Sequence, residues 1–156
     1  MKIKKLPILA IPLLFFIYIS CENNIIYKSA INYESGWHKD SIATFEVLFA
    51  DTAQVMDFIL TFRHTEDYRY CNLWLFTSVE NFEYQTLLKD TLELIMAYTN
   101  GSWFGKKKGE NREISTYYKH AVKMAHPGNY KFEFQQGMRV DNLEEINKVS
   151  FKIKSR

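Results

Sequence analysis

The sequence lacks a strong charge of either sign. Its 156 residues include 20 lysines and arginines against 18 aspartates and glutamates, and three of the basic residues (Lys2, Lys4 and Lys5) lie at the N-terminus. Without residues 1–20, 17 basic side chains face 18 acidic ones, a net charge near −1. A protein that binds nucleic acid through its phosphates needs a basic patch or stripe, so we expect no nucleic-acid partner.

The sequence is also poor in the groups that carry catalysis or bind metals. Its four histidines, His38, His64, His120 and His126, are scattered, with no pair at metal-ligand spacing and no carboxylate pattern beside them. Ser102 lacks the Gly-x-Ser-x-Gly spacing of a hydrolase nucleophile. We therefore predict that the protein is not an enzyme and that it has no metal site and no cofactor.

Long apolar runs are absent except near the N-terminus. A short basic stretch at residues 1–5 is followed by fourteen largely apolar residues at 6–19. A transmembrane helix needs about 20 apolar residues to span the hydrocarbon core, so this run is too short to cross comfortably. It fits the apolar region of a secretory signal peptide.

Cys21, one of only two cysteines, stands where this apolar run ends and polar residues begin. The segment 18–21 (YISC) resembles the lipobox of bacterial lipoproteins, in which a small residue precedes the lipidated cysteine, although Tyr18 stands where leucine is usual. We predict that residues 1–20 are a signal peptide and that lipidated Cys21 holds the protein on a membrane. Cys71 is then the only remaining thiol, which excludes an intramolecular disulfide and is typical of a small buried core residue.

Alternation of apolar and polar residues is the main structural signal in the rest of the chain. Residues 42–50 and 56–63 alternate with a period of two, which is typical of strands with one buried face. The segment 70–77 (YCNLWLFT) is apolar on nearly both faces and predicts a central strand covered on each side. Further strands are predicted at 91–97, 113–118, 129–135 and 149–154, separated by turn signals.

These strands predict an all-β fold class, a single antiparallel β-sandwich of jelly-roll type. One short helical turn is predicted at 141–146, with Asp141 or Asn142 as its cap. The predicted organisation is a lipoprotein signal peptide at 1–20, a lipidated tether at 21–36 and the sandwich domain at 37–156. We also expect Asp90 to pair with Arg63 or Arg139 across the sheet.

An ordered series of short motifs resembles one known family. The series runs through Asn72-Leu-Trp-Leu-Phe76, Asp90-Thr-Leu-Glu93, Gly101-Ser-Trp-Phe-Gly105, Gly128-Asn-Tyr130 and Gln136-Gly-Met-Arg139. It is similar to the gliding motility lipoprotein GldH family over about residues 37–153, together with the lipidated cysteine. Cys71 and the basic Lys106-Lys-Lys108 segment depart from what we expect of that family.

The resemblance implies a membrane-anchored, non-catalytic accessory component of bacterial gliding motility and of the linked type IX protein secretion system. Its partners would be other proteins of that machinery. Glu22-Asn-Asn24 lacks the dense acidic cluster associated with surface export in such bacteria, so we expect the periplasmic face of the outer membrane.

The loop that contains Gly101, Trp103 and Gly105 is the predicted partner-binding site. Its Gly-x-x-x-Gly spacing predicts backbone with positive φ angles, which glycine adopts readily. The alternative function is glycan binding by a jelly-roll module of a cell-envelope lipoprotein. It rests on Trp37, Trp103, Tyr117 and Tyr118, which fall at candidate loop or strand-edge positions. Coplanar aromatics on one open face would favour sugar, whereas a buried Trp103 would favour a structural loop.

Overall fold

The computed structural model describes residues 24–84 and 86–156, and within that part of the chain every regular element is a strand. The strands are β1 (Ile25–Asn32), β2 (Trp37–His38), β3 (Ala43–Phe49), β4 (Met56–Thr65), β5 (Asn72–Asn81), β6 (Thr86–Ile95), β7 (Lys106–Lys108), β8 (Asn111–Val122), β9 (Gly128–Gln136), β10 (Asn142–Leu143) and β11 (Ile146–Ser155). The predicted all-β fold is confirmed.

The strands form two packed layers. One sheet has five strands in the order β1-β11-β4-β8-β7, and the other has four in the order β3-β9-β5-β6. Neighbouring strands are antiparallel throughout both sheets. A small ladder between β2 and β10 adds a third, two-stranded sheet. The arrangement agrees with the predicted antiparallel β-sandwich.

The core lies between the two large sheets and consists mainly of aromatic rings. Strands β3, β4 and β9 bury every second residue, as the period of two predicts. Phe151 of β11 is fully buried, and its ring centroid lies 5.0 Å from that of Phe132 and 5.4 Å from that of Phe134, both on β9. Phe45 of β3 is a further neighbour at 5.5 Å. Rings from opposite sheets therefore interlock across the middle of the domain.

The prediction that segment 70–77 is covered on both faces is wrong. Strand β5 does lie inside its sheet, between β9 and β6, and its residues Leu73 and Leu75 are buried. On the opposite face, however, the side chain of Trp74 is 39% exposed and that of Phe76 is 53% exposed. An apolar run on both faces is ambiguous, because it is typical of a buried strand and also of a strand with one exposed apolar face.

Two local predictions near the ends of the domain are also wrong. Cys71, predicted to be a buried core residue, is exposed just before β5 begins. Residues 141–146 do not form a helical turn, because Leu143 pairs with Trp37 in the β2–β10 ladder and is itself buried. The side-chain amide of Asn142 donates to the carbonyl of Ser35 at 2.8 Å instead of capping a helix.

The sandwich begins earlier than predicted. Much of the segment 21–36, which the sequence assigned to a tether, forms β1, and β1 pairs with β11 from Ile25 opposite Lys154 to Asn32 opposite Lys148. The reason is non-local, since the partner strand lies at the other end of the chain. The predicted signal peptide and Cys21 lie outside the described residues. No helix of the described ranges is long and apolar enough to span a bilayer.

Candidate functional site

The predicted partner-binding loop spans residues 96–105, between β6 and β7, and is held by its own backbone. The N–H of Tyr98 donates to the carbonyl of Ser102 at 2.8 Å, and the N–H of Phe104 donates to the carbonyl of Met96 at 2.9 Å. Gly101 has a φ of +82° and Gly105 a φ of +81°, so the prediction of positive φ at these positions is confirmed.

Trp103 turns toward the interior of the domain. It is partly buried against the hydrophobic core, and its ring centroid lies 4.9 Å from that of His64 and 6.1 Å from that of Tyr68. His64 is fully buried, and its Nδ1 is 2.8 Å from the carbonyl of Thr65. This geometry matches the structural-loop alternative for Trp103. A partner-binding role for the loop stays a prediction.

Gly105 fixes the loop against strand β8. A Cβ atom at this position would overlap the carbonyl group of Glu113. Gly101, by contrast, has open space where its Cβ would be, with no heavy atom within 4 Å. The two glycines share a backbone conformation, but only Gly105 is required by close packing.

The basic segment Lys106-Lys-Lys108, which departs from what we expect of the family, forms the short edge strand β7. Two of its lysines are paired with carboxylates: Lys107 Nζ lies 2.9 Å from Glu66 Oε2, and Lys108 forms an ion pair with Glu113. The Arg63 guanidinium also contacts Glu113, with Nη2 at 2.6 Å from Oε1. These carboxylates neutralise much of the positive charge of β7, so the strand offers little net charge to attract an acidic partner.

The expected pairing of Asp90 with Arg63 or Arg139 is wrong. Lys119 of β8 is the partner of Asp90, with Nζ 3.4 Å from Oδ2, while Arg63 is committed to Glu113. β6 and β8 belong to different sheets, so the sequence alone does not predict which of their charged residues form an ion pair.

Acid should weaken the fold in two separable windows. Burial lowers the pKa of His64 below 6.5, and the contacts of Lys108 and then Arg63 lower the pKa of Glu113 below 4.5. In both cases the group takes up its proton at a higher pH in the unfolded chain than in the folded domain. The free energy of unfolding therefore decreases as pH falls, first below about pH 6.5 through His64 and then below about pH 4.5 through Glu113. We expect Glu113→Gln to lower stability at pH 7 and to reduce the further loss between pH 5 and pH 3.

Urea unfolding of the variant and the wild type at pH 7, 5 and 3 measures this difference. The loss between pH 7 and pH 5 should be equal in the two proteins, because it arises from His64 and other groups that the substitution leaves in place. Identical pH profiles over the whole range would show that Glu113 contributes nothing to the acid sensitivity.

An exposed apolar patch on the four-stranded sheet is a second candidate site, and the sequence analysis missed it. This outer-face patch consists of Ile42, Trp74, Phe76 and Ile95, all exposed. Its backbone is well held, since the N–H of Gly137 donates to the carbonyl of Trp74 at 2.7 Å. Several exposed apolar residues on one face of a small domain commonly mark an interaction site.

A shallow cleft adjoins this patch. It has a volume of about 440 Å³, and its lining combines Ile42 and Phe76 with polar side chains that include Ser78, Glu133 and Gln135. The sequence did contain one indication that Trp74 and Phe76 are exposed, namely the polar residues that share their face of the strand. The two aromatic residues share a face with polar Asn72 and Ser78, whereas the buried face holds only Leu73, Leu75 and Thr77 over the same stretch.

The four aromatic residues on which the glycan alternative rested do not share an open face. Trp37 is fully buried, Tyr118 is buried and Trp103 is partly buried. Tyr117 alone of these four is well exposed, at 55%. In the described residues no group of three histidine, cysteine or acidic side chains is placed to hold a metal ion.

The fold and the export-type N-terminus define a class: a single antiparallel β-sandwich that follows a segment resembling a lipoprotein signal. The chain belongs to the GldH lipoprotein family, whose sequence model matches residues 25–153. That match begins with strand β1, in agreement with the early start of the sandwich.

Two relatives have most of their length in common with this chain. A gliding motility lipoprotein GldH homolog of Christiangramia forsetii is 37% identical over 88% of each chain. The gliding motility lipoprotein GldH of Flavobacterium johnsoniae is 30% identical over 100% of this chain and 99% of its own. Among solved structures, an arabinose-bound α-L-arabinofuranosidase aligns with 81% of this chain and 19% of its own, at 10% identity and a TM-score of 0.41, which is too low to carry an argument. The resemblance to gliding motility lipoproteins is confirmed.

Proposed function

We propose that the protein is a lipid-anchored, non-catalytic accessory component of the gliding motility machinery and of the linked type IX secretion system. Its membership of the GldH family carries this proposal, since both relatives are named as gliding motility lipoproteins. Cys21 is the proposed lipid attachment site, and the periplasmic face of the outer membrane is the proposed location. The proposed partners are other proteins of the machinery.

The anchor is supported by the position of Cys21 relative to the domain. Strand β1 begins at Ile25, four residues after Cys21, so the link between lipid and sandwich is short. Each buried methylene of an acyl chain contributes about 0.8 kcal/mol of membrane affinity, and two or more chains hold a protein almost permanently.

The outer-face patch is the proposed contact with a protein partner. Trp74 and Phe76 are exposed aromatic residues on a rigid, hydrogen-bonded sheet. Large aromatic side chains on such a support lose little conformational entropy on binding and are enriched among the residues that dominate interface energies. The loop at 96–105 is a weaker candidate because Trp103 already packs against the core.

Complementation of a deletion strain tests the proposal. Deletion should stop spreading on surfaces and secretion of the system's cargo, and the wild-type gene should restore both. The double variant Trp74→Ala, Phe76→Ala should be present in membranes but should restore little, since loss of one such interface residue weakens binding by roughly 30-fold or more (about 2 kcal/mol). Tyr117→Ala removes an equally exposed aromatic from the other sheet and should restore spreading fully.

Cys21→Ala belongs in the same set, because it should block lipid attachment and leave an uncleaved precursor. Palmitate labelling and the mass of the protein report on that step directly. A deletion strain that spreads and secretes normally, but loses turnover of a defined small molecule, would overturn the non-catalytic role in favour of an enzyme.

Glycan binding stays the second candidate function, for one specific reason. Trp74 and Phe76 are exposed on one face, and the adjoining cleft offers Ser78, Glu133 and Gln135 as hydrogen-bonding groups. Saturable binding of an oligosaccharide by the purified protein, lost in the double variant, would favour this candidate over a protein contact.

A further inference from the structure

One end of the sandwich collects the strand ends that lie nearest to the N-terminal segment. In the five-stranded sheet the paired positions at this end are Ile25 with Lys154, Ser155 with Met56, and Met56 with Val122. In the four-stranded sheet they are Phe49 with Gly128, and Asn81 with Tyr130. At this end Tyr84, in the turn between β5 and β6, stacks on His126, in the loop between β8 and β9, with ring centroids 4.0 Å apart. We call this the proximal end.

The position of Cys21 in the sequence limits how far the proximal end can lie from a membrane. Ile25 is four positions after Cys21, and a fully extended chain over four residue steps spans at most about 14 Å. A lipid on Cys21 therefore holds the start of β1 within that distance of the bilayer surface.

Exposed apolar side chains gather at this end. Thirteen large hydrophobic residues of the described chain are exposed, and six of them lie in two segments of the proximal end. These are Ile25 and Ile26 at the start of β1, and, in the hairpin of β5 and β6, Phe82 and Tyr84 of the turn with Leu87 and Leu88 at the start of β6. Phe82 is 50% exposed, with the ammonium group of Lys131 5.5 Å from its ring centroid.

The charges around these residues do not select a highly charged partner. Asp57 is paired with Arg156 at 3.5 Å and with His120 at 2.9 Å. Further charges at this end are also balanced, since exposed Asp51 and Glu83 stand against exposed Lys123 and partly exposed Lys154. Apolar and aromatic groups with balanced charges fit the interfacial region of a phospholipid bilayer, where tyrosine lies at the level of the headgroups and phenylalanine and leucine enter the boundary with the acyl chains.

We propose that the proximal end rests on the bilayer surface, with Phe82 and Tyr84 inserted at headgroup depth, so that the hairpin and the lipid anchor together fix the orientation of the domain. This inference depends on the proposed anchor at Cys21. The anchor keeps the hairpin at a high effective concentration near the lipid, so a contact too weak to hold a free protein is nevertheless formed.

The orientation also sets the height of the outer-face patch. Trp74 lies seven residues along β5 from Asn81 at the proximal end. At about 3.3 Å per residue in a strand, this corresponds to roughly 23 Å above the membrane surface. The patch would therefore be held clear of the lipid and presented to a partner.

Depth-dependent fluorescence quenching tests the orientation. The full-length, lipidated protein carries Cys71→Ser and a single labelling site, Phe82→Cys, and is reconstituted into phosphatidylethanolamine–phosphatidylglycerol vesicles that contain phospholipids with a nitroxide quencher on the headgroup. A bimane label at position 82 should be quenched several-fold more than a label at Tyr98→Cys, which lies in the loop at 96–105, at the opposite end of the sandwich. Tyr98 is a matched control because its side chain is 52% exposed. Tyr84→Cys provides a second proximal reporter.

Flotation of the same vesicles separates the two ways in which the experiment can fail. Protein that floats with the vesicles but shows equal, weak quenching at 82, 84 and 98 is anchored without the proposed orientation, and the inference is then wrong. Correctly processed protein that does not float with the vesicles lacks a working lipid anchor, which contradicts the anchored role itself. Strong quenching at 98 but not at 82 would show the opposite end on the membrane.

Discussion

Replacing Phe151 with alanine is expected to lower the free energy of unfolding by about 3–5 kcal/mol, a large part of the roughly 5–15 kcal/mol that stabilises a typical domain. The side chain of Phe151 is 0% exposed, and rings from both sheets surround it, with Phe132 at 5.0 Å and Phe45 at 5.5 Å. A close-packed interior cannot collapse fully into the space that the ring leaves, so the cavity adds to the lost burial.

Phe76→Ala is the matched control for this substitution. It removes the same side chain from the other sheet, but at a position that is 53% exposed, so the loss should stay below about 1.5 kcal/mol. Urea unfolding followed by far-UV circular dichroism measures both variants. Equal losses would mean that the aromatic core between the sheets does not dominate the stability of the domain.

Gly105→Ala should be the most damaging substitution in the loop between β6 and β7. An alanine at a φ of +81° is strained by about 1–2 kcal/mol, and its Cβ would also overlap the carbonyl of Glu113 on β8. Relieving such an overlap adds roughly 1–3 kcal/mol. We expect a total loss of about 2–5 kcal/mol, because the loop must move away from the strand against which it packs.

Gly101→Ala separates the two contributions. It imposes the same positive φ but places the new methyl group in open space, so only the backbone strain of about 1–2 kcal/mol should remain. Thermal unfolding of the two variants and the wild type gives the comparison. A Gly101 variant as unstable as the Gly105 variant would show that backbone strain alone explains the loop, without the contact to β8.

The sequence predicted the strands with regular alternation and failed where burial depends on distant partners. Segments 42–50 and 129–135 alternate cleanly and form β3 and β9. Segment 70–77 has apolar residues on both faces, and only the polar neighbours Asn72 and Ser78 distinguish the face that is exposed. Strand β1 was missed for a related reason, since its half-buried face is completed by β11, more than a hundred residues further along the chain.

The candidate sites show the same limit. Positive φ at Gly101 and Gly105 follows from local spacing and is confirmed. The burial of Trp103 depends on His64 and Tyr68, which approach it only in the folded domain. The outer-face patch was missed because Trp74 and Phe76 lie in segment 70–77, which was predicted to be covered on both faces. The pairing of Lys107 and Lys108 with Glu66 and Glu113 likewise brings together charges from separate strands.

The pairing of β1 with β11 would have a mechanical consequence if the protein, anchored at Cys21 as proposed, were placed under tension. A pull between a lipid on Cys21 and a partner on the outer-face patch would act along β1, from its first residue, Ile25. The β1–β11 ladder has seven paired positions between Ile25 and Asn32, and its hydrogen bonds lie perpendicular to the strands. Such a pull stretches these bonds together, in shear, whereas a sideways pull would peel them apart one after another. With β1 in this orientation, a small domain stabilised by non-covalent contacts would transmit force between the membrane and a partner without unfolding from its N-terminus.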